Sequence, residues 1–458
     1  MNHGKWVIGT LALAGLLSAG APGAAAEQKP NVLFIAVDDL NDWVSCLGGH
    51  PQIKTPHIDR LAARGTLFTR AYCVAPACNP SRAALLSGKR PFSTGIYHNN
   101  QPWRPVLRDV LTLPQFFKQN GYHVVGGGKI FHGDDPSYWH EYFKRSGDPR
   151  PKVESVSGLN RAHFDWGPVE ERDEDMGDYK LVSWAAEQLG KKHDRPLFLA
   201  VGFVKPHLPW YVPRKYFDLF PLDSIQLPKV LEDDLKDVPP AGVRMARPEG
   251  DHKAVVAAKQ WRHAVQGYLA AITFLDGQVG RLLDALDRSA YRDNTVIVFW
   301  GDHGWHLGQK QHWRKFALWE EATRAPLIFA GPGVPRAGSR CERTVDFMSI
   351  YPTLADLCSL PVPQHVEGVS LRPLLQNPGA SWDRPAVTTH GRGNHAVRTE
   401  KWRYIRYHDG SEELYDHEAD PLEWNNLAAD PRLAEVKKQL ARALPAKEAP
   451  DAPRAKQE

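Results

Sequence analysis

The sequence predicts an α/β protein: a large, mostly parallel sheet sandwiched by helices, followed by a smaller C-terminal α+β subdomain with an antiparallel sheet. Two observations predict it. Short continuous apolar runs recur, each ending abruptly in polar residues, and amphipathic stretches of helical period lie between them. Strands covered on both faces read as unbroken apolar runs, and strand–helix alternation places helices on both sides of a parallel sheet.

The first strand is Val32-Leu33-Phe34-Ile35-Ala36-Val37, ending in Asp38-Asp39. Thr55-Pro56 starts a helix that Gly65 stops, with Ile58 and Leu61 on one side. Asn79 as cap and Pro80 in the first turn predict a helix through Ala83-Ala84-Leu85-Leu86, closed by Gly88. The next strand, Tyr122-His123-Val124-Val125, runs into Gly126-Gly127-Gly128-Lys129. Residues 197–204 form another, running into Lys205-Pro206-His207.

Residues 267–286 repeat apolar side chains at Leu269, Ile272, Leu275, Val279, Leu282, Leu283 and Leu286, which predicts a helix. Val296-Ile297-Val298-Phe299-Trp300 is a fourth strand and ends in Gly301-Asp302-His303. Residues 223–253, rich in Pro, Asp and Lys, read as a long surface excursion over the site. Past a linker at Gln376-Asn377-Pro378-Gly379, residues 386–389, 396–398 and 402–407 read as short strands of the smaller sheet. The organisation is thus a leader over 1–26, a main domain over 27–376, a C-terminal subdomain over 380–445 and a frayed tail over 446–458.

A 458-residue chain that is 42% hydrophobic can bury a large core. Its formal charge of +4 is too balanced to argue for nucleic acid or a membrane surface, so an anionic ligand must be drawn in by a local site. Lys5, an apolar run over 7–19 and Ala24-Ala25-Ala26 read as a secretory leader cut near Ala26. That run is short for a bilayer span and no later one suffices, so the expectation is an exported, periplasmic or secreted protein without a transmembrane anchor. The cysteines are Cys46, Cys73, Cys78, Cys341 and Cys358. Cys341 and Cys358 are either free and buried or paired.

In parallel sheets ligands gather at the carboxyl ends of the strands, where all the polar clusters fall. Asp38 and Asp39 repel each other unless a cation sits between them, and Asp302-His303 stands in the same relation to its own strand. Three carboxylates favour Ca²⁺ or Mg²⁺, while His303 admits Zn²⁺ or Mn²⁺. Asp38-Asp39 alone would read equally as helix caps. Lys129, His132, Lys205, His207 and Lys315, with Lys310 as its near neighbour, would singly be surface charges or ordinary hydrogen-bonded histidines. Their placement just beyond buried strands makes them site candidates. Asn100, Trp103, Trp305, His306 and Arg398 are candidates for ligand contact, with core packing as the other reading of the aromatics.

Cys78-x-Pro80-Ser81-Arg82, followed by Leu85-Leu86-Ser87-Gly88, resembles the signature of type I sulfatases of the alkaline-phosphatase-like superfamily, whose cysteine becomes formylglycine. Asn79 stands where a small residue is more usual. The resemblance runs from Asn31 to about Asn426, and Asp38-Asp39, Leu40-Asn41-Asp42 and His303 make it most similar to iduronate-2-sulfatase-like members.

The resemblance implies that Asp38, Asp39, Asp302, His303 and the modified Cys78 bind a metal, usually calcium. It further implies that Arg82 fixes the aldehyde hydrate and that Lys129 and Lys315 bind sulfate. One hydroxyl of the hydrate attacks sulfur, His207 protonates the departing sugar oxygen, and His132 takes a proton from the second hydroxyl. Implied partners are a sulfated sugar and a formylglycine-generating or equivalent maturation enzyme, with no nucleic acid. A phosphonate or phosphate ester hydrolase, and a carbohydrate-binding protein with an unmodified Cys78, are the alternatives.

Overall fold

The expected first strand, β1 (Asn31–Val37), lies inside an eight-stranded sheet. With it are β2 (Gly65–Tyr72), β3 (His123–Gly128), β4 (Glu141–Phe143), β5 (Leu197–Phe203), β6 (Thr295–Gly301), β7 (Leu327–Ala330) and β8 (Ser339–Asp346). In this computed structural model, which describes residues 1–6, 29–161 and 163–455, their order is β8-β2-β7-β6-β1-β5-β3-β4. Only β7 opposes its neighbours. The expected leader falls almost wholly outside the described residues.

Register explains how distant segments meet. Val37, the last residue of β1, pairs with Gly301 on one side and Phe203 on the other, and Gly128 pairs with Gly202. Four neighbouring strands therefore end level, and Asp38, Asp302, Lys129 and Val204 leave the sheet along one edge.

Every residue of β1, β5 and β6 is buried. Successive side chains of a strand point to opposite faces. Leu33, Ile35 and Val37 accordingly join one apolar core and Val32, Phe34 and Ala36 the other. The first core holds Ile58 and Leu61 of α1 (Pro56–Arg64), Leu181 of α3 (Gly177–Gly190) and the inner face of α4 (Trp261–Asp287). The second holds Leu85 and Leu86 of α2 (Cys78–Ser87) and Ile350 and Leu354 of α5 (Ile350–Leu357). Helix α4 starts before the expected Gly267 because Ala264 and Val265 continue its buried face.

Three expectations need correction. The cap of α2 is the extended Ala77 rather than Asn79, because Ser81 N–H bonds Ala77 O at 3.0 Å and closes the first turn earlier. The amide of Asn79 instead donates to the carbonyls of His98 at 3.0 Å and Gln101 at 2.7 Å. The excursion over 223–253 is not all loop: Pro240–Ala246 and Asp251–Ala257 are helical, with Ala246 and Val255 buried.

The tail is not frayed over its described part. Ala449, Ala452 and Ala455 donate backbone bonds of 2.7, 2.9 and 2.8 Å to Phe92, Gly95 and Asn100, which offset the entropy of ordering the strap.

The smaller sheet contains β9 (Ala386–Thr389), β10 (His395–Arg398), β11 (Trp402–Arg406) and an unexpected fourth strand, β12 (Glu412–Asp416), all antiparallel. Its polar sequence hid it. Glu413 is nonetheless buried and accepts a 2.8 Å bond from Trp319 Nε1 of the main domain. All five cysteines are free thiols. Among the described residues no helix is long and apolar enough to cross a membrane.

Candidate active site

Asp38 and Asp39 leave β1 where the backbone turns sharply. Asp39 has φ of +56°, a left-handed conformation that costs a non-glycine residue roughly 1–3 kcal/mol unless neighbours hold it. Two contacts do. Asp39 N–H donates to Asp302 Oδ1 at 3.0 Å, and Tyr268 of α4 donates its hydroxyl to Asp39 O at 2.7 Å.

Cys78, at the first turn of α2 and 1% exposed, faces this turn. Its Sγ lies 3.0 Å from Lys315 Nζ, 3.4 Å from His303 Nε2 and 3.8 Å from Asp39 Oδ1. One turn along, Arg82 donates Nε to Asp302 Oδ2 at 2.8 Å and NH1 to Ile130 O at 3.1 Å, its NH2 lying 3.5 Å from Asp38 Oδ1. Lys129 is ion-paired with Asp38 Oδ2, and Lys315 Nζ lies 2.6 Å from Asp39 Oδ1. His207 Nε2 stands 3.9 Å from Asp39 Oδ2.

Between the two lysines left open by sequence, position decides. Lys310 is turned away, bonded to Asp234 at 2.6 Å.

Burial dominates the electrostatics. It would raise Asp38, but Lys129, His207, Arg82 and Lys315 together hold that carboxyl well below its usual range. Asp302 stays raised by burial against the pull of Arg82. Burial pulls His207 down to about 4 and His132 to about 3, Lys129 adding to both. It pushes the Cys78 thiol up to about 12, helped by Asp38. A thiol so raised holds almost no thiolate near neutrality and is a poor nucleophile.

The donor set fits a cation. One ligand atom from each of Asp38, Cys78, Asp302 and His303 lies within 4.8 Å of the others, and the same holds for Asp38, Asp39, Cys78 and His207. Asp39 Oδ2 is buried with no hydrogen-bond partner among the described residues. A carboxylate oxygen buried unpaired is costly, and a hard cation among three carboxylates would satisfy it.

A model of the sulfatase family matches residues 30–360. The chain belongs to the sulfatase family. A second model, for the C-terminal part of N-sulphoglucosamine sulphohydrolase, matches residues 301–449. The sulfatase is 43% identical over 428 residues to a sulfatase of Formosa agariphila, covering 88% of this chain and 83% of that one. It is 33% identical over 398 residues to the iduronate 2-sulfatase of Mus musculus, covering 76% and 72%. A solved structure in complex with its substrate D-glucosamine-2-N,6-O-disulfate superposes with a TM-score of 0.72 at 24% identity, over 91% of this chain and 96% of that one, a likeness of fold. The chain is therefore an enzyme of sulfate ester hydrolysis whose relatives include sulfatases acting on sugars.

The sugar-contact candidates fare differently from the core of the site. Trp103 stacks on Phe131 with ring centres 4.2 Å apart, and Trp305 is buried with Lys315 Nζ 5.5 Å above its ring. His306 is buried, its Nδ1 3.1 Å from Gln309 O. Arg398 is buried beside Glu320 at 3.3 Å, in a cluster with Arg403, His417 and Glu423 that joins the two sheets. These four are committed to packing or pairing, because large rings and paired charges complete the interior here; only Asn100 is exposed.

The open space beside Lys315 is a cleft of about 790 Å³. Arg161, Arg244, Arg247, Arg314 and His390 line it, and sequence reasoning passed over all five. Arg244 and Arg247 are three apart at the end of a short helix, a signal hidden by reading 223–253 as loop.

Proposed function

We propose that the sulfatase, once exported, removes sulfate from a sulfated carbohydrate of the kind iduronate-2-sulfatase-like members act on, using a formylglycine formed from Cys78. The observation that carries this reading is the placement of Cys78 Sγ 3.0 Å from Lys315 Nζ and 3.4 Å from His303 Nε2. A thiol held near 12 is inert there, whereas an aldehyde hydrate offers an oxygen nucleophile and a second hydroxyl on the same carbon.

Asp38, Asp39, Asp302 and His303 would hold the metal, with Ca²⁺ the better fit to so oxygen-rich a set and Mg²⁺ the poorer. When bound, the ion supplies positive charge to the nucleophile and to one sulfate oxygen.

Lys129 and Lys315 neutralise the remaining sulfate oxygens, where negative charge shifts during transfer. Arg82 anchors α2 to Asp302 and so fixes the attacking position. His207 donates a proton to the departing sugar oxygen. Its imidazole is neutral while the site is empty of substrate, since burial and Lys129 pull it to about 4. An arriving sulfate offsets the charges of Lys129 and Lys315 and so favours the protonated ring. His132, kept neutral by burial, accepts a proton from the second hydroxyl at position 78 as that oxygen re-forms the carbonyl and the carbon–oxygen bond to the transferred sulfate breaks, releasing sulfate and restoring the aldehyde.

The test is chemical. The peptide carrying residue 78, from protein made in a competent host, should be lighter than its cysteine form and react with a hydrazide probe. Cys78→Ala should lose turnover of aryl sulfates and of defined sulfated oligosaccharides. An unmodified thiol in active enzyme would sink the reading.

A further inference from the structure

Lys315 is presented by a contorted turn. Arg314 and Phe316, on either side of it, have φ of +76° and +72°, and Lys310 and Gln311 just before have +55° and +49°. None is glycine, so each left-handed residue is strained and persists only where its surroundings enforce it.

Two bonds pin the turn. Phe316 N–H donates to Pro76 O at 3.0 Å, beside Cys78. On the other side His312, 5% exposed, brings Nε2 to 2.6 Å from Lys315 O. Its Nδ1 lies 2.7 Å from Ala246 O, at the end of the helix Pro240–Ala246. That helix and the residue after it carry Arg244 and Arg247 into the cleft. Both partners are carbonyl oxygens, so the ring joins the lysine's backbone to the cleft wall by donating from both nitrogens in its protonated form.

We propose that His312 is the positioning residue for Lys315: it holds the strained turn so that the ammonium group meets the sulfate, and it locks that turn to the arginine-bearing wall. The inference rests on the sulfate-binding role given to Lys315 above. His312 touches no reacting atom. Its contribution reaches the reaction only through the lysine, and that makes it separable from a general packing role.

The experiment is a double-mutant cycle on the mature enzyme, with His312→Ala, His312→Gln, Lys315→Ala and the doubles. It reads kcat/KM on an aryl sulfate and the affinity for inorganic sulfate by calorimetry. A misplaced charge of this kind costs roughly tenfold to a hundredfold. His312→Ala should lose that much kcat/KM and weaken sulfate binding, while His312→Gln, able to donate to one carbonyl, keeps part of both. In the Lys315→Ala background the histidine change should cost almost nothing further, since coupled residues are non-additive.

Equal losses in both backgrounds, or wild-type values in His312→Ala, would overturn the proposal. Full activity and sulfate binding in Lys315→Ala alone would instead overturn the role of the lysine. If His312→Ala does not fold, the Gln variant carries the same cycle.

Discussion

Arg82 and Asp302 meet at 2.8 Å with neither side chain exposed to solvent. The arginine comes from the second turn of α2 and the aspartate from the end of β6, so the pair welds the helix carrying residue 78 to the sheet edge carrying the carboxylates. Removing one partner of a buried pair leaves the other charge unpaired, at a cost of about 3–5 kcal/mol. Arg82→Met should lower the unfolding free energy of metal-free protein, read from urea titration, by that much and abolish turnover. An unchanged unfolding free energy would mean the pair is not holding the site.

Metal removal should be felt by the fold as well as by the reaction. The unpartnered Asp39 Oδ2 and the crowded carboxylates predict that chelation lowers Tm and stops turnover, and that Ca²⁺ restores both. An ion at a hundred times its Kd stabilises by about 2.7 kcal/mol. A melting curve indifferent to chelator and calcium would contradict a resident cation.

Glu321 makes stability depend on pH. Burial, reinforced by Glu423, pushes its carboxyl from 4.5 up to about 8. Between those values the folded protein keeps a proton that the unfolded chain has released, so this contribution to stability is full below 4.5 and is lost as pH rises through 8. Glu321→Gln should therefore flatten the fall in Tm between pH about 5 and about 8. The same slope in the variant would assign it to other groups.

The C-terminal strap should matter to the site. Gln101 Nε2 donates to Ala452 O at 2.7 Å, and Gln101 O accepts from Asn79, next to Cys78. Ending the chain after Ala446 removes three backbone bonds to residues 92–100, a loss of about 1–3 kcal/mol. Amide exchange over that segment should speed up and kcat/KM should fall. Unaltered exchange there would show the strap to be idle.

Much of the site was legible because its residues follow unbroken apolar runs: Asp38, Lys129, His207 and Asp302 could be placed at strand ends before any register was known. Strand β12 was illegible because Glu413 is buried against Trp319, a satisfied polar contact that composition counts as surface. For Trp103 and Trp305 ligand contact and core packing stayed equally open, because a tryptophan beside a cleft and one beneath it look alike in sequence. What His312 holds in place gave no signal in the sequence. Its partners are carbonyls of Ala246 and Lys315, and backbone oxygens leave no trace in side-chain identity.

The walls around Cys78 are made in a fixed temporal order. Asp38 and Asp39 emerge from the ribosome before it, but Asp302, His303 and Lys315 are synthesised long after, and in the finished molecule Cys78 is 1% exposed. Were Cys78 converted as proposed above, a maturation enzyme would meet an accessible thiol only during elongation, or before α2 docks against those late residues. Under that conversion folding speed and oxidation would compete, and overproduction that outran the modifying enzyme would yield well-folded, permanently inert molecules.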